Sequence, residues 1–167
     1  SLDPNKAVAA GTKEVYFNMF EGLLKPDSDG NLNPAVASDY KISDDRLTYT
    51  FTLRDGIRFH DGTTVTVEDI KFSIDKCADA SNGDPLVPAF SNVESVNIVD
   101  ESTVEIVLKS ADADFLANLA TVDAAITPAS NNDPDQTAIG TGPYKFVSRS
   151  PQENFILEKF EAYWGEP

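Results

Sequence analysis

Leu47-Thr48-Tyr49-Thr50-Phe51-Thr52-Leu53 alternates apolar side chains with threonine without a break. Successive side chains of an extended strand point to opposite faces, so a strand gathers the four apolar residues on one face, whereas a helix would scatter them. The segment is therefore a half-buried strand, with one face for a core and a hydroxyl-rich face for water. Such a strand needs partners. Residues 40–43 and the Asp44-Asp45 turn supply the other arm of a hairpin. A second hairpin follows at residues 93–99 and 103–108, turning at Asp100-Glu101-Ser102 with Val104, Ile106 and Leu108 inward. Arg54-Asp55-Gly56 breaks the strand, and Ile57-Arg58-Phe59 runs extended into the turn His60-Asp61-Gly62-Thr63. Further strands are predicted at residues 144–147 and 155–159.

Helical periodicity intervenes between these strands. Over residues 12–24, Val15, Met19 and Leu23 form one row and Tyr16, Phe20 and Leu24 the next, with Thr12 as a cap and Gly11 before it. Lys25-Pro26-Asp27-Ser28-Asp29-Gly30-Asn31 ends that helix. A second helix starts after Thr66, with Asp69 completing a capping-box-like pair, Ile70, Ile74 and Cys77 as its buried row, and Val67 and Phe72 beside them. A short helix is expected around residues 115–120, with Asp112 as its cap, and loops at 80–85 and 127–135. Hairpins interleaved with helices make this an α+β chain of mixed or antiparallel sheets with flanking helices, not a doubly wound parallel sheet.

Composition narrows the function. The 167 residues suffice for one domain or one lobe, and 28 carboxylates against 13 basic residues leave a net charge of −15. That balance argues against nucleic acid and against an anionic membrane surface, since both need clustered Lys and Arg. The single cysteine excludes an internal disulfide and a cysteine-based zinc site. No run approaches the roughly 18 apolar residues of a membrane span. The chain opens at Ser1-Leu2-Asp3-Pro4 without Met and without a signal pattern, which reads as a processed or truncated chain that could have had an export signal upstream.

Candidate chemistry is sparse. His60, the one histidine, lies beside Asp61. Neighbours on a strand point apart and nothing nominates a nucleophile, so a structural turn histidine bonded to backbone is expected. Asp27-Ser28-Asp29-Gly30 resembles part of a calcium loop, but Lys25 and Val36 would fall at the first and twelfth positions, where neither can ligate. Cys77 falls on an apolar helix face as a core thiol. Gly140-Thr141-Gly142-Pro143 lacks the Lys and the spacing of a phosphate loop and leads into a strand. No metal ligand set, cofactor site or catalytic residue is assigned, and a hydrolase finds no candidate nucleophile and base.

In order, Leu2-Asp3-Pro4, Glu21-Gly22-Leu23, Pro34-Ala35-Val36-Ala37 and Tyr40-Lys41-Ile42-Ser43-Asp44-Asp45 lead to a dense block. That block is Thr48-Tyr49-Thr50-Phe51-Thr52-Leu53-Arg54-Asp55-Gly56-Ile57-Arg58-Phe59-His60-Asp61-Gly62. Val67-Glu68-Asp69-Ile70-Lys71-Phe72-Ser73, Thr103-Val104 with Leu108, Gly140-Thr141-Gly142-Pro143-Tyr144 and Tyr163-Trp164-Gly165 follow. In this order the chain resembles the extracellular solute-binding proteins of family 5, which serve ABC importers of peptides, nickel complexes and related solutes.

The resemblance implies a two-lobed clamshell of the periplasmic-binding-protein type, of which residues 1–167 would be an incomplete N-terminal lobe without the second lobe. Residues 35–140 would form a small α+β subdomain, and 1–34 and 141–167 part of the larger sheet. The implied protein is a non-enzymatic, monomeric solute binder, a cell-surface lipoprotein or a periplasmic protein, that hands an oligopeptide to membrane permease subunits. The alternatives are a nickel or other metal complex as solute, or a structural module contacting the permease or cell surface. First-lobe contacts are expected from the loop before the first helix, at Val8, Ala10, Gly11, Thr12 and Lys13, and after the short helix, at Asp123 and Ala124. Gly11 and Thr12 could offer backbone N–H groups to a solute carboxylate or carbonyl.

Overall fold

The threonine-alternating strand takes the centre of a four-stranded antiparallel sheet. A computed structural model describes residues 19–79, 81, 85, 87–121, 124–130, 139–149 and 155–165. In chain order the elements are β1 (Leu24–Pro26), β2 (Leu32–Pro34), β3 (Ala37–Ile42), β4 (Thr48–Leu53), α1 (Val67–Ala78), β5 (Val93–Asp100), β6 (Thr103–Leu108), α2 (Phe115–Leu119), β7 (Tyr144–Arg149) and β8 (Phe155–Lys159), with a 3-10 turn at Pro88–Asn92 before β5. The sheet order is β3-β4-β6-β5, and β1-β2 and β7-β8 each form a two-stranded sheet. The α+β class, with its antiparallel sheets and few helices, is thus the one the alternation predicts.

Register follows the pleat. Phe51 pairs with Val104 and Tyr49 with Ile106, and all four are buried on one face. Helix α1 covers that face with Val67, Ile70, Ile74 and Cys77, all buried. Phe115 of α2 closes one end of the core, its ring 4.8 Å from Tyr49 and 5.7 Å from Phe90. At the β5 edge, Lys71 donates to the Val96 carbonyl (2.9 Å) and to Asp75 (2.8 Å), covering an otherwise open strand.

Two boundaries depart from the sequence reading. Residues 12–18 of the expected first helix lie outside the described residues, but its last turn is absent: Met19 is helical and Leu24–Pro26 is β1. The Asp27 carboxylate accepts the N–H groups of Asp29 and Asn31 (both 2.9 Å), Gly30 takes a φ of +82°, and Leu24 pairs with Pro34 across the resulting hairpin. Phe20, Leu23 and Leu24 are all buried, so beyond Met19 the apolar residues record enclosure on every side rather than helix. The second correction is the cap of α2. It is Asp114, while the Asp112 carboxylate accepts the Asp114 N–H at 2.9 Å.

The N-terminus of α1 is held as its sequence predicts and is then used further. Thr66 N–H donates to Asp69 Oδ2 (2.9 Å), and Asp69 Oδ1 accepts the Ala129 N–H (2.9 Å). One turn on, Ser73 Oγ donates to the Thr127 carbonyl (3.1 Å) and accepts the Thr127 N–H (2.9 Å). Two polar side chains at i, i+4 on the buried face thus dock the extended segment 124–129 along the helix. Among the described residues, no helix is long and apolar enough to cross a membrane. Ser73→Ala should lower the unfolding free energy by about 1–3 kcal/mol, because both backbone groups of buried Thr127 lose a partner. Ser38→Ala, at an exposed site, should stay within about 0.5 kcal/mol, and denaturant titration of both variants checks the contrast.

Candidate functional site

Residues 19–24 form the meeting point of the molecule. Met19 O accepts the Gly142 N–H (3.0 Å), Glu21 O the Ile126 N–H (3.0 Å), and Gly22 O the Val36 N–H (3.2 Å). Leu23 O accepts from both Ala35 (3.1 Å) and Ala37 (3.2 Å). Gly22 permits this crowding, since a Cβ there would lie 2.3 Å from Leu119 O and 3.3 Å from Ala124 O.

Of the residues expected to touch solute, Val8, Ala10, Gly11, Thr12, Lys13 and Asp123 lie outside the described residues. Ala124 is described and wholly buried, with its N–H donating to Thr121 O (3.1 Å). The structure sets Ala124 against Gly22 and bonds Ile126 to Glu21, which brings the segment after α2 to the meeting point.

A polar cluster that the sequence reading did not assemble lies beside this point. Glu21, only 6% exposed, accepts the Tyr163 hydroxyl on Oε1 and the Trp164 indole N–H on Oε2 (2.9 Å). Lys25 donates to the Tyr163 oxygen (3.0 Å) and lies 3.5 Å from Glu21 Oε1. Lys25 Nζ sits 4.5 Å from the Trp164 ring centre, and the Arg54 guanidinium carbon 3.9 Å from it. Arg54 Nε also donates to Ala35 O (2.8 Å). Burial, with the hydrogen bond to Glu21 and the charge of Glu21 behind it, raises the Tyr163 hydroxyl above the ordinary phenol range, so it stays protonated as a donor. Glu21, Tyr163 and Trp164 stood out only as members of motifs. Arg54 likewise stood out only within the dense block, and Lys25 only as part of the turn after the expected helix.

His60 is bonded to backbone, as its turn context predicts. Nε2 lies 3.0 Å from Gly142 O, and the Gly140 N–H donates to Nδ1 at 3.3 Å. A carbonyl only accepts and an amide only donates, so the proton resides on Nε2. The Asp61 carboxylate bonds the Thr63 N–H (3.0 Å) and hydroxyl (2.6 Å) instead of orienting the imidazole. Burial lowers the His60 pKa to about 4, against a smaller opposite effect from the Gly142 bond. Elsewhere, a cleft of about 820 Å³ lies beside the N-terminus of α1, lined by Arg54, Asp55, Thr66, Glu68, Glu101 and Ser102 among others.

The architecture is that of a portion of a periplasmic binding protein. The PBP AgaA from A. tumefaciens R10, solved with agropinic acid, superposes with a TM-score of 0.92 at 28% identity over 99% of this chain and 35% of its own. The ABC transporter-associated periplasmic binding protein DppA of Helicobacter pylori, solved with the peptide STSA, gives 0.87 at 27% identity over 99% of this chain and 38% of its own. In sequence, the glutathione-binding protein GsiB of Pectobacterium atrosepticum is 34% identical over 169 residues, 98% of this chain and 33% of that protein. The profile of the bacterial extracellular solute-binding proteins, family 5, middle region, matches residues 31–167, and the chain belongs to that family. It spans about a third of the length of these relatives.

Glu21→Ala removes the acceptor of the Tyr163 hydroxyl and the Trp164 N–H and should cost about 1–3 kcal/mol of stability. The emission of Trp164, the sole tryptophan, should shift to the red in the native variant. His60 gives a pH signature. Its folded pKa of about 4 lies below the unfolded 6.5, so the unfolded chain takes up the proton first. The stability it contributes is complete above about pH 6.5 and disappears as pH falls towards 4, a change of up to about 3 kcal/mol. Unfolding curves of the protein and of His60→Ala should converge by that amount over this interval.

Proposed function

We propose that the protein captures a short peptide outside the cytoplasmic membrane, in a cleft between two lobes, and presents it to the permease of an ABC importer. The observation that carries this reading is the 34% identity to a glutathione-binding protein across 98% of the chain, since glutathione is itself a tripeptide. The peptide held by DppA supports the same solute class. Peptide capture suits a cleft that bonds the ligand main chain and tolerates its side chains in loose pockets. Both nitrogens of His60 are committed to backbone, which leaves that imidazole no lone pair for a substrate and favours a binder over an enzyme.

In this reading residues 35–140 form the small subdomain and residues 1–34 and 141–167 part of the larger sheet of one lobe. The solute contacts of this lobe come from Val8, Ala10, Gly11, Thr12 and Lys13, with Lys13 and the N–H groups of Gly11 and Thr12 facing a carboxylate. Asp123 offers the opposite charge to an ammonium. Ala124, whose methyl is wholly buried, acts by anchoring Asp123.

Calorimetry on the full-length gene product, with glutathione and a series of di- to pentapeptides, tests the reading. One or more peptides should bind at micromolar affinity or tighter, and Lys13→Ala or Asp123→Asn should weaken binding at least about tenfold, or about 1.4 kcal/mol. The 167-residue chain by itself should bind far more weakly, because closure of a second lobe supplies much of the burial. Tight binding of a nickel–histidine complex with no response to any peptide would replace the peptide reading with the metal-complex one.

A further inference from the structure

Among the described residues, His60 carries every hydrogen bond between the 59–63 turn and the 140–142 turn. Its N–H donates to Gly140 O (3.0 Å), its Nδ1 accepts from Gly140 N, and its Nε2 donates to Gly142 O. Gly140 has no room to retreat, for a Cβ there would lie 2.2 Å from Met19 O and 2.6 Å from Phe20 Cδ1. An imidazolium carries a proton on both nitrogens, so a proton gained at Nδ1 sets two N–H groups head to head where a bond had been. The turn holds little in reserve against this. Among the described residues the buried Thr141 hydroxyl finds no hydrogen-bond partner, an arrangement that costs about 1–3 kcal/mol. Behind the ring, Phe160 stacks edge-on with its centre 4.9 Å away, and its N–H bonds Pro143 O (2.8 Å). The charged groups whose fields reach the ring are Asp61 on the same turn and Lys145 on β7. Asp61 is held by Thr63, and Lys145 pairs with Glu158 of β8 at 3.0 Å. Neither carboxylate is placed to take the new proton from Nδ1.

We propose that His60 is a proton-operated latch: protonation at Nδ1 releases the 140–143 turn and the β7-β8 hairpin it leads into, while the four-stranded sheet stays folded. Opening would pass from Pro143 to Phe160 and on to Tyr163 and Trp164, the far end of the polar cluster on Glu21. The device is independent of which solute the protein binds. In an exported protein it would respond directly to the acidity of the surroundings.

The ring of His60 is assigned as the imidazole resonances that vanish in His60→Gln, or by through-bond correlation from its backbone. Heteronuclear NMR of the full-length protein between pH 7.5 and 3.5 would follow the ring together with hydrogen-exchange protection corrected for intrinsic rates. The ring should titrate below 6.5, and over the same interval the Gly140, Gly142 and Phe160 amides should lose at least about tenfold more protection than the β4 and β6 amides. In His60→Gln, which cannot titrate, the protection of Gly140 and Gly142 should not vary with pH. Three results overturn the latch: a ring titrating with Gly140 and Gly142 still protected, all amides losing protection together, or the same acid response in His60→Gln. Should His60→Gln fail to fold, the first two comparisons in the unaltered protein decide the matter.

Discussion

The backbone carbonyls of Met19, Glu21, Gly22 and Leu23 lie in buried residues outside any strand, and the rest of the structure is arranged to satisfy them. Each must find an N–H or bear a desolvation cost of about 1–3 kcal/mol. The donors come from three places far apart in sequence: Val36 and its neighbours Ala35 and Ala37, Ile126, and Gly142. Satisfying four carbonyls therefore fixes the relative positions of the β2-β3 connection, the segment after α2, and the approach to β7. Gly22 and Gly140 stand at the closest approaches, where a side chain would displace a backbone oxygen. A substitution at either point would act on several elements together.

The acidity of the chain takes on a different meaning once the carboxylates are placed. Asp27, Asp45, Asp79 and Asp100 sit in turns, where nearby donors hold their carboxyl groups below the ordinary range. The leading donors are the Asn33 amide for Asp27, the Ser43 hydroxyl for Asp45, and the N–H groups of Ser81 and Ser102 for the other two. These residues serve as punctuation, each closing a turn by bonding the backbone a few residues on. Glu21 and Asp69 are different because they are buried and bond distant parts of the chain, Glu21 the Trp164 indole and Asp69 the Ala129 N–H as well as its neighbour Thr66. Among the described residues these carboxylates serve as exposed turn-formers or internal fasteners, roles that carry no message about a ligand.

Much of the fold was legible because it rests on local periodicity. The alternation at residues 47–53 and the Thr66–Asp69 pair fixed β4 and the start of α1 to within a residue. The end of the first expected helix was not legible, because complete burial of Met19, Phe20, Leu23 and Leu24 imitates a broad helical stripe. The contacts of Ser73 with Thr127 span 54 residues, and those of Glu21 with Trp164 span 143. No window of sequence contains both partners. Asp69 and Ser73, two polar residues at i, i+4 beside the apolar row of α1, were the one local sign that something polar would dock there.

The same distinction explains why family was easier to read than solute. The residues that carried the resemblance are connectors: Glu21 under Tyr163 and Trp164, His60 between Gly140 and Gly142, Gly22 against Leu119 and Ala124. Each is constrained by partners inside the protein, so its identity is set by the fold whatever ligand is carried. A solute contact has no such internal partner. Its side chain answers to a molecule outside the chain, and neither periodicity nor a buried donor can specify it. Relatives with this fold accordingly hold agropinic acid in one case and a peptide in another. The meeting point at residues 19–24 shows the first kind of constraint, since it fixes Ala124 from within, against Gly22.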